Sequence, residues 1–282
     1  MPQLSPFEQF INLEIEENSA VRTIVSMPAQ EVTLNLGGTL HGGASMTLIN
    51  MAAKRALYPL FSIAQQEKIK TLDQSVRFTG TSRGEKVSAT AVVIKKGKEL
   101  AFVEVQVSTD AGKLVSKGLV TLRYGYESES VDERKAATIK LDEHYPQQWH
   151  PGVMAPLLAQ RGFTANIGLS IKHVKESQSI VRLDERAHIF NQEGVIDEGA
   201  IATLCDSAGA MATMAMMEQG MARGSTPSLH INYFSPVKNE ALVALGSGQW
   251  SYNESYMADV NVVGESSGTL YAQAQVLFRI VI

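Results

Sequence analysis

The sequence is short of cysteine: Cys205 is the single one among 282 residues. An intrachain disulfide is therefore impossible, and this usage is typical of proteins in a reducing cytoplasm. Histidines are few as well, six in all, and none stands at the spacing of a metal-ligand motif. These absences exclude a disulfide-stabilised scaffold, and we expect no metal or other cofactor.

Excess positive charge and long apolar runs are also missing. The formal net charge is -4, which provides no basic surface for a nucleic acid and no polybasic patch for an anionic membrane. No apolar run approaches the roughly 20 residues that cross a bilayer, and the opening stretch MPQLSPFEQF lacks the pattern of a signal peptide. We therefore expect a soluble cytoplasmic protein with neither nucleic acid nor membrane as a partner.

What the sequence does contain is an internal repeat. Residues 34–50 read LNLGGTLHGGASMTLIN, and residues 190–206 read FNQEGVIDEGAIATLCD. Aligned, they place His41 over Asp197, an offset of 156 residues (197 − 41). Two further pairs of segments keep this offset to within one residue: 70–80 with 226–236, and 112–124 with 268–280. Such self-similarity predicts two copies of one structural unit.

Each half shows the same order of elements. An extended segment (12–27; 164–184) is followed by a glycine-bearing turn and a helix, at about 42–58 and about 198–218. Four runs of alternating polarity then predict antiparallel strands. They are 69–80, 84–96, 99–109 and 113–124 in the first half, and 226–235, 239–252, 255–264 and 269–281 in the second.

The stretch between the halves is charged and then proline-bearing, which is typical of a linker. We therefore predict a first domain over 1–126, a linker over 127–150 and a second domain over 151–282. Tyr145 and Trp149 lie near the end of this linker, and because large aromatic side chains are unfavourable in water, we expect that end to pack.

The first glycine turn has the features of an oxyanion hole. Gly42 and Gly43 stand where a helix begins, where backbone N–H groups are unpaired and the positive end of the helix dipole lies. Without Cβ atoms they allow a ligand oxygen to approach closely. The alternative is that the glycines are required only for a tight turn. His41, directly before the helix, is either a core histidine or a polar contact to a ligand.

Asp206 is the strongest candidate for catalysis. It lies two turns into an apolar helix, and a carboxylate buried there requires a partner. Its small neighbours Ala202, Ala210 and Thr213 leave room for a ligand. The alternative is a carboxylate paired with a neighbouring loop.

The corresponding positions of the other copy carry different chemistry. Asn50, the counterpart of Asp206, cannot act as a base or a nucleophile. Asp197 and Glu198, the counterparts of His41 and Gly42, are typical of a helix N-terminus and would repel an oxyanion. Two features have simpler interpretations, Cys205 as a buried structural thiol and the run MATMAMM (211–217) as core or as the lining of an acyl pocket.

These residues resemble a known family. The pattern N-x-x-G-x-x-H-G-G, with an acidic residue nine positions after the histidine, resembles the hotdog-fold acyl-CoA thioesterases of the phenylacetate-pathway type. The resemblance covers nearly all of both halves. The first half departs from the pattern at Asn50, where the family carries Asp, and the second half keeps Asn191 and Asp206 but has lost the His-Gly pair.

In that family two hotdog subunits pair and share each active site across their interface. The resemblance implies that the intact parts of the two halves form one complete site, from Asn35, His41 and Gly42 of the first half with Asp206 and Thr226 of the second. The reciprocal set is degenerate: Asn191, Asp197 and Glu198 with Asn50 and Thr71. Asp206 would either activate water or attack the thioester directly, and the residues leave both routes open.

The resemblance implies an α+β protein of two tandem hotdog domains packed as an intrachain pseudo-dimer. Each domain would be an antiparallel sheet of about five strands around one central helix. The expected function is hydrolysis of a small-molecule acyl-CoA, and two such chains are expected to form a homodimer. One alternative is a non-catalytic binder of acyl thioesters, with Asp206 merely structural. Another is a hotdog dehydratase or hydratase, although those carry a different histidine motif with prolines nearby.

Overall fold

The computed structural model describes residues 3–124, 137–217 and 224–280. Within these ranges the helices are α1 (Pro6–Phe10), α2 (Gly42–Leu57), α3 (Ile63–Gln66), α4 (Ala155–Leu158), α5 (Gly162–Ile167) and α6 (Glu198–Met214). The strands of the first half are β1 (Glu14–Asn18), β2 (Thr23–Met27), β3 (Lys70–Phe78), β4 (Val87–Lys96), β5 (Leu100–Thr109) and β6 (Leu114–Arg123). Those of the second are β7 (Leu169–Lys175), β8 (Gln178–Leu183), β9 (Gly224–Tyr233), β10 (Leu242–Tyr252), β11 (Ser255–Gly264) and β12 (Leu270–Ile280). Short 3₁₀ turns cover Glu31–Thr33, Tyr58–Leu60, Leu141–Glu143 and Ala187–Ile189.

The strands form one antiparallel sheet that runs through both halves. Their order is β1-β2-β4-β5-β6-β3-β9-β12-β11-β10-β8-β7, so the second half repeats the first in reverse. The halves join where β3 pairs with β9, with Asp73 opposite Asn232 and Arg77 opposite Ser228. This arrangement confirms two tandem hotdog domains packed as an intrachain pseudo-dimer.

Each half contributes six strands to the sheet, where about five were expected. The segments expected to be single extended runs, 12–27 and 164–184, each contain a hairpin, β1–β2 and β7–β8. The second of them also begins in α5. The β7–β8 turn lacked a sequence signal because Glu176 and Ser177, neither of them glycine or asparagine, adopt positive φ there.

The helices α2 and α6 form the centre of the molecule. Each lies against the sheet of its own half, and the two contact each other near their N-termini. There Gly43 faces Thr203 and Gly199 faces Thr47, so closely that a Cβ at either glycine would overlap the threonine. The two small residues therefore set how near the helix starts approach, and with them the distance between groups held on different halves.

The end of the predicted linker packs as expected. Residues 127–136 of it lie outside the described residues, but from residue 137 the chain follows the outer face of the second half. Ile139 and Leu141 pack with an apolar cluster there, and the rings of Tyr145 and Trp149 lie 5.1 Å apart. The domain boundaries at 126 and 151 stay predictions. None of the helices in the described ranges is long and apolar enough to cross a membrane.

Candidate active site

The start of α2 is built by His41. Its backbone is extended, and its Nδ1 accepts a hydrogen bond of 3.0 Å from the Gly43 N–H, so the imidazole caps the helix. Gly42 is the first helical residue, and its N–H therefore has no carbonyl partner within the helix. Since Nδ1 accepts this bond, the proton of the neutral ring lies on Nε2.

Asp206 reaches this helix start from the other half. Its Oδ2 lies 3.8 Å from His41 Nδ1, and a Cβ built on Gly42 would lie 2.8 Å from the same oxygen. Its Oδ1 accepts a hydrogen bond of 2.8 Å from the Thr226 hydroxyl. The aspartate is 6% exposed. One carboxylate oxygen is thus fixed by a threonine, while the other faces the start of α2, where only glycine leaves it space.

Burial governs the protonation of this histidine. Removal of His41 from water lowers its pKa below the ordinary value, and the nearby Asp206 carboxylate opposes that shift without overcoming it. The imidazole is therefore neutral at neutral pH. A neutral ring can donate a hydrogen bond through Nε2.

Asn35 lies in a turn of its own rather than against Asp206. Its Oδ1 accepts from the N–H groups of Gly37, at 2.9 Å, and Thr39, at 3.2 Å, and its amide donates to the Thr39 hydroxyl at 2.8 Å. Its side chain thereby shapes the loop that leads into His41. Of the five residues expected in the complete site, the structure brings together His41, Gly42, Asp206 and Thr226, and it gives Asn35 bonds within its own loop.

A small cavity adjoins this cluster. It has a volume of about 70 Å³, and His41, Ser207, Thr164 and Met211 contribute to its walls. The Ser207 hydroxyl is buried and has no hydrogen-bond partner among the described residues. Sequence reasoning missed Ser207 and Thr164. Ser207 had one usable signal, since it directly follows Asp206 and precedes Met211 by one helical turn.

The reciprocal set has the same backbone and different contacts. Asn191 forms the same kind of turn as Asn35, with its Oδ1 accepting from the N–H groups of Glu193 and Val195 at 2.9 and 3.2 Å. Asp197 caps α6 as His41 caps α2, accepting from the Gly199 N–H at 2.8 Å.

The position of Gly42 is taken here by Glu198, which forms an ion pair of 2.5 Å with Lys54. At the position of Asp206, the Asn50 amide donates to the Thr71 hydroxyl at 3.0 Å, and its Oδ1 has no partner among the described residues. The second helix start therefore carries a partly buried ion pair, whereas the first has a glycine that leaves room for a ligand.

Three charged groups lie close together at the second helix start, Asp197, Glu198 and Lys54. Burial, together with the neighbouring Glu198, raises the pKa of Asp197 to about 7. Burial also acts to raise the pKa of Glu198. The Lys54 ammonium lowers that pKa by more, so the net shift is downward. The negative charge at this end of α6 thus resides on Glu198 and is balanced by Lys54.

Two other chemistries find no support in the site. Cys205 is buried, and burial together with the Asp206 charge raises the pKa of its thiol far above the ordinary value. This disfavours the thiolate that nucleophilic attack requires. Among the described residues, no cluster of His, Cys, Asp and Glu has the arrangement of a metal site.

Comparison with known proteins places the chain in a family. A family model described as "Thioesterase superfamily" matches residues 37–116, which include the start of α2. The human acyl-coenzyme A thioesterase 13 is 32% identical over 106 residues, which cover 37% of this chain and 74% of that protein. The chain belongs to the thioesterase superfamily. The mouse acyl-coenzyme A thioesterase 13 is 30% identical over the same length.

Solved structures match this superfamily member over nearly its whole length. An acyl-CoA thioesterase II, TesB2, from Mycobacterium marinum superposes with a TM-score of 0.67 at 12% identity and covers 98% of each chain. A protein with a hot dog fold from Alicyclobacillus acidocaldarius gives the same TM-score, identity and coverage. At such identities the likeness concerns the fold. Membership of the superfamily supports thioester hydrolysis as the general activity.

Proposed function

We propose that this protein hydrolyses acyl-CoA thioesters at one composite site between its two halves. His41 and Gly42 of the first half and Asp206 and Thr226 of the second form it. The observation that carries the proposal is the position of Asp206 Oδ2, 3.8 Å from His41 Nδ1 and next to Gly42. The carboxyl group of the second half thereby lies next to the unpaired backbone N–H at the helix start of the first half.

The thioester carbonyl would dock on the Gly42 N–H. As the carbonyl carbon becomes tetrahedral, its oxygen gains negative charge, and the unpaired N–H and the positive end of the helix dipole stabilise it. The loss of one such donor typically costs about 2.7–4 kcal/mol of transition-state stabilisation. The neutral His41 would donate through Nε2 to the carbonyl or to the attacking water.

Asp206 would supply the base or the nucleophile. As a base, its Oδ2 takes a proton from water while the water oxygen bonds to the carbonyl carbon. The carbon–sulfur bond then breaks, and the proton on Oδ2 passes to the leaving thiolate, which gives CoA thiol and carboxylic acid. As a nucleophile, Oδ2 bonds to the carbonyl carbon, and the carbon–sulfur bond breaks to release CoA thiolate and leave an anhydride. Water then hydrolyses the anhydride to the carboxylic acid and the Asp206 carboxylate, and the proton set free goes to the thiolate. In both routes the bond from Thr226 to Oδ1 keeps Oδ2 directed at the substrate.

We infer that the reciprocal site is retired. A carbonyl docking at the start of α6 would meet the Glu198 carboxylate, and like charge repels a developing oxyanion. Asn50 in place of the catalytic aspartate can neither accept the proton nor form an anhydride. The Lys54–Glu198 pair and the Asn50–Thr71 bond give these residues structural partners instead.

The test is turnover of acetyl-, decanoyl-, palmitoyl- and phenylacetyl-CoA by the wild type, Asp206→Asn and Asp197→Asn. We expect Asp206→Asn to lower kcat by on the order of 1,000-fold, because the amide can neither take a proton nor attack. Asp197→Asn is the matched control, a buried aspartate at the other helix start, and should keep kcat within a few-fold.

Equal losses in both variants, or full activity in Asp206→Asn, would contradict the composite site. A wild type that binds these thioesters and hydrolyses none of them would instead be a non-catalytic acyl-thioester-binding protein.

A further inference from the structure

We propose that the acyl group of the substrate is of medium length and lies along α6 in an apolar channel lined by Met211 and Met214. This inference rests on the proposed function, since the channel begins at the thioester site of Asp206. The methionines near the end of α6 would determine which length of acyl chain the channel accepts.

Two cavities follow one another along this helix. The first, of about 70 Å³, extends from His41 and Ser207 to Met211. The second, of about 150 Å³, extends from Met211 to Met214 and Met217. Met211 thus forms a wall of both, and its flexible side chain is the partition between them.

The channel follows one face of the helix. Ser207, Met211 and Met214 stand at positions i, i+4 and i+7, which lie above one another on a helix surface. The remaining wall of the second cavity is apolar and comes from Pro151, Val153, Met154 and Val174. Unbranched methionine side chains adapt to irregular apolar ligands. The surface leading away from the catalytic carboxylate is therefore suited to a hydrocarbon chain.

The other copy of the fold has a cavity of similar size with different chemistry, about 80 Å³ with Glu8, Lys54 and Asp197 among its lining residues. At the offset of 156 residues, Met211 corresponds to Arg55 (211 − 55) and Thr164 to Glu8 (164 − 8). Arg55 and Glu8 form a buried two-bond ion pair, at 2.8 Å from Nε and 2.7 Å from Nη2. Charged side chains therefore line the space at the retired site, whereas the space that adjoins His41 and Ser207 is lined mostly by apolar side chains.

The dimensions indicate the chain length. Met214 follows Asp206 by eight residues (214 − 206), which is about 12 Å along a helix axis. Carbon–carbon bonds of about 1.5 Å in an extended zigzag cover that distance with roughly ten carbons. A cavity of about 150 Å³ also equals the apolar cavity known to bind benzene. We therefore expect acyl groups of roughly eight to twelve carbons to be preferred.

The test compares acyl-CoAs of increasing length in the wild type, Met214→Trp and Met216→Trp. The wild-type kcat/KM should rise by about fourfold for each added methylene up to roughly ten carbons and then level off. In Met214→Trp the indole fills the second cavity, so decanoyl-CoA should lose on the order of 100-fold while butyryl-CoA is unchanged. Met216→Trp is the matched control, because the Met216 side chain packs against Gly248 instead of the channel.

The ratio of decanoyl- to butyryl-CoA activity within each variant decides the outcome, because partial unfolding lowers both rates equally. An unchanged ratio in Met214→Trp, or the same change in Met216→Trp, would overturn the channel.

A second measurement separates this inference from the proposed function. S-decyl-CoA, a thioether that cannot be hydrolysed, is titrated into the same three proteins by calorimetry. Affinity that falls in Met214→Trp alone supports the channel even if the wild type hydrolyses nothing. Equal affinity in all three proteins, or no binding to any, overturns it even if the wild type is an active thioesterase.

Discussion

At the scale of single residues, the same backbone task is performed by side chains with different chemistry. His41 and Asp197 each cap a central helix by accepting the N–H two residues on, at 3.0 and 2.8 Å. Capping needs only an acceptor at that place. The residue that supplies the acceptor can therefore differ between the two helices. One helix start has a neutral imidazole that can also donate a hydrogen bond, and the other has a carboxyl group.

Asp197 should make stability depend on pH. In the folded chain its pKa is about 7, whereas its ordinary value is 3.8. Folding therefore takes up a proton between about pH 4 and 7, and the free energy of unfolding falls as pH rises through that window. Asp197→Asn keeps a capping oxygen without the charge, and we expect it to be more stable than the wild type at pH 8 by on the order of 2 kcal/mol.

Urea denaturation at pH 5 and pH 8 measures this effect. The advantage of Asp197→Asn should be small at pH 5 and larger at pH 8. Asp110→Asn, at an exposed position, is the control and should show no such trend. An advantage that is the same at both pH values would mean that the Asp197 carboxyl is already ionised at pH 5.

At the scale of elements, two copies of one helix differ in what lies beside them. The side chain of Arg55 on α2 is bound to Glu8 of α1, and its Nη1 is buried without a partner among the described residues. The corresponding pair on α6 and α5 is Met211 and Thr164, which line a mostly apolar cavity, whereas the cavity at Glu8 has several charged groups in its lining. The difference between a charged and an apolar helix flank thus depends on two side chains contributed by different elements.

Removing one charge of this ion pair should lower the free energy of unfolding far more than removing both charges. Arg55→Met leaves the Glu8 carboxylate buried without its partner, and we expect a loss of about 3–5 kcal/mol in the free energy of unfolding. Adding Glu8→Gln removes the charge while keeping an acceptor for the Ser5 N–H that Glu8 binds at 2.7 Å. The double variant should return to within about 1 kcal/mol of the wild type.

A double-mutant cycle in urea, with Glu8→Gln alone as the fourth corner, provides the measurement. If the losses of the two single variants simply add in the double variant, then the two side chains do not interact, and the difference between the helix flanks has another origin.

At the scale of the whole molecule, the two halves share one sheet and one helix contact. The pairing of β3 with β9 extends the sheet across the halves, and α2 packs on α6. The Asp206–His41 approach lies at this junction. The candidate site is therefore a property of the assembled chain and not of either half.

We expect the halves to unfold together. The two tryptophans report on the second half, because Trp250 lies in β10 and Trp149, near the end of the linker, packs against His173 of β7. Far-ultraviolet circular dichroism reports on both halves. Because the halves share a sheet and a core, the two signals should give one coincident urea transition.

A circular-dichroism transition that precedes the fluorescence change would contradict the shared core. It would show that the first half unfolds on its own while the second remains folded.

Local patterns in the sequence predicted much of the fold. Polar–apolar alternation located the β11 strand at 255–264, where the structure has Ser255–Gly264. The repeat offset predicted two similar halves, because matched side-chain patterns favour matched elements. The β7–β8 hairpin was missed because residues with no turn preference, Glu176 and Ser177, form its turn.

The candidate site was predictable only in part. Asp206 and His41 were identified because a carboxylate in an apolar helix and a histidine before a glycine pair are unusual locally. Ser207 and Thr164 were not, because their role depends on a cavity whose walls come from separate elements. The Glu8–Arg55 pair, 47 residues apart along the chain, left no local sign either.

The sequence by itself determined the elements, the repeat and the chemistry available at each helix start, since these depend on neighbours along the chain. Only the tertiary structure decided that Asp206 faces Gly42 and His41, and that the cavity beside one central helix has charged groups in its lining while the other is mostly apolar. Those outcomes depend on side chains that are distant along the chain, 165 residues apart for His41 and Asp206 (206 − 41) and 47 for Glu8 and Arg55, and no local pattern specifies the distance between them.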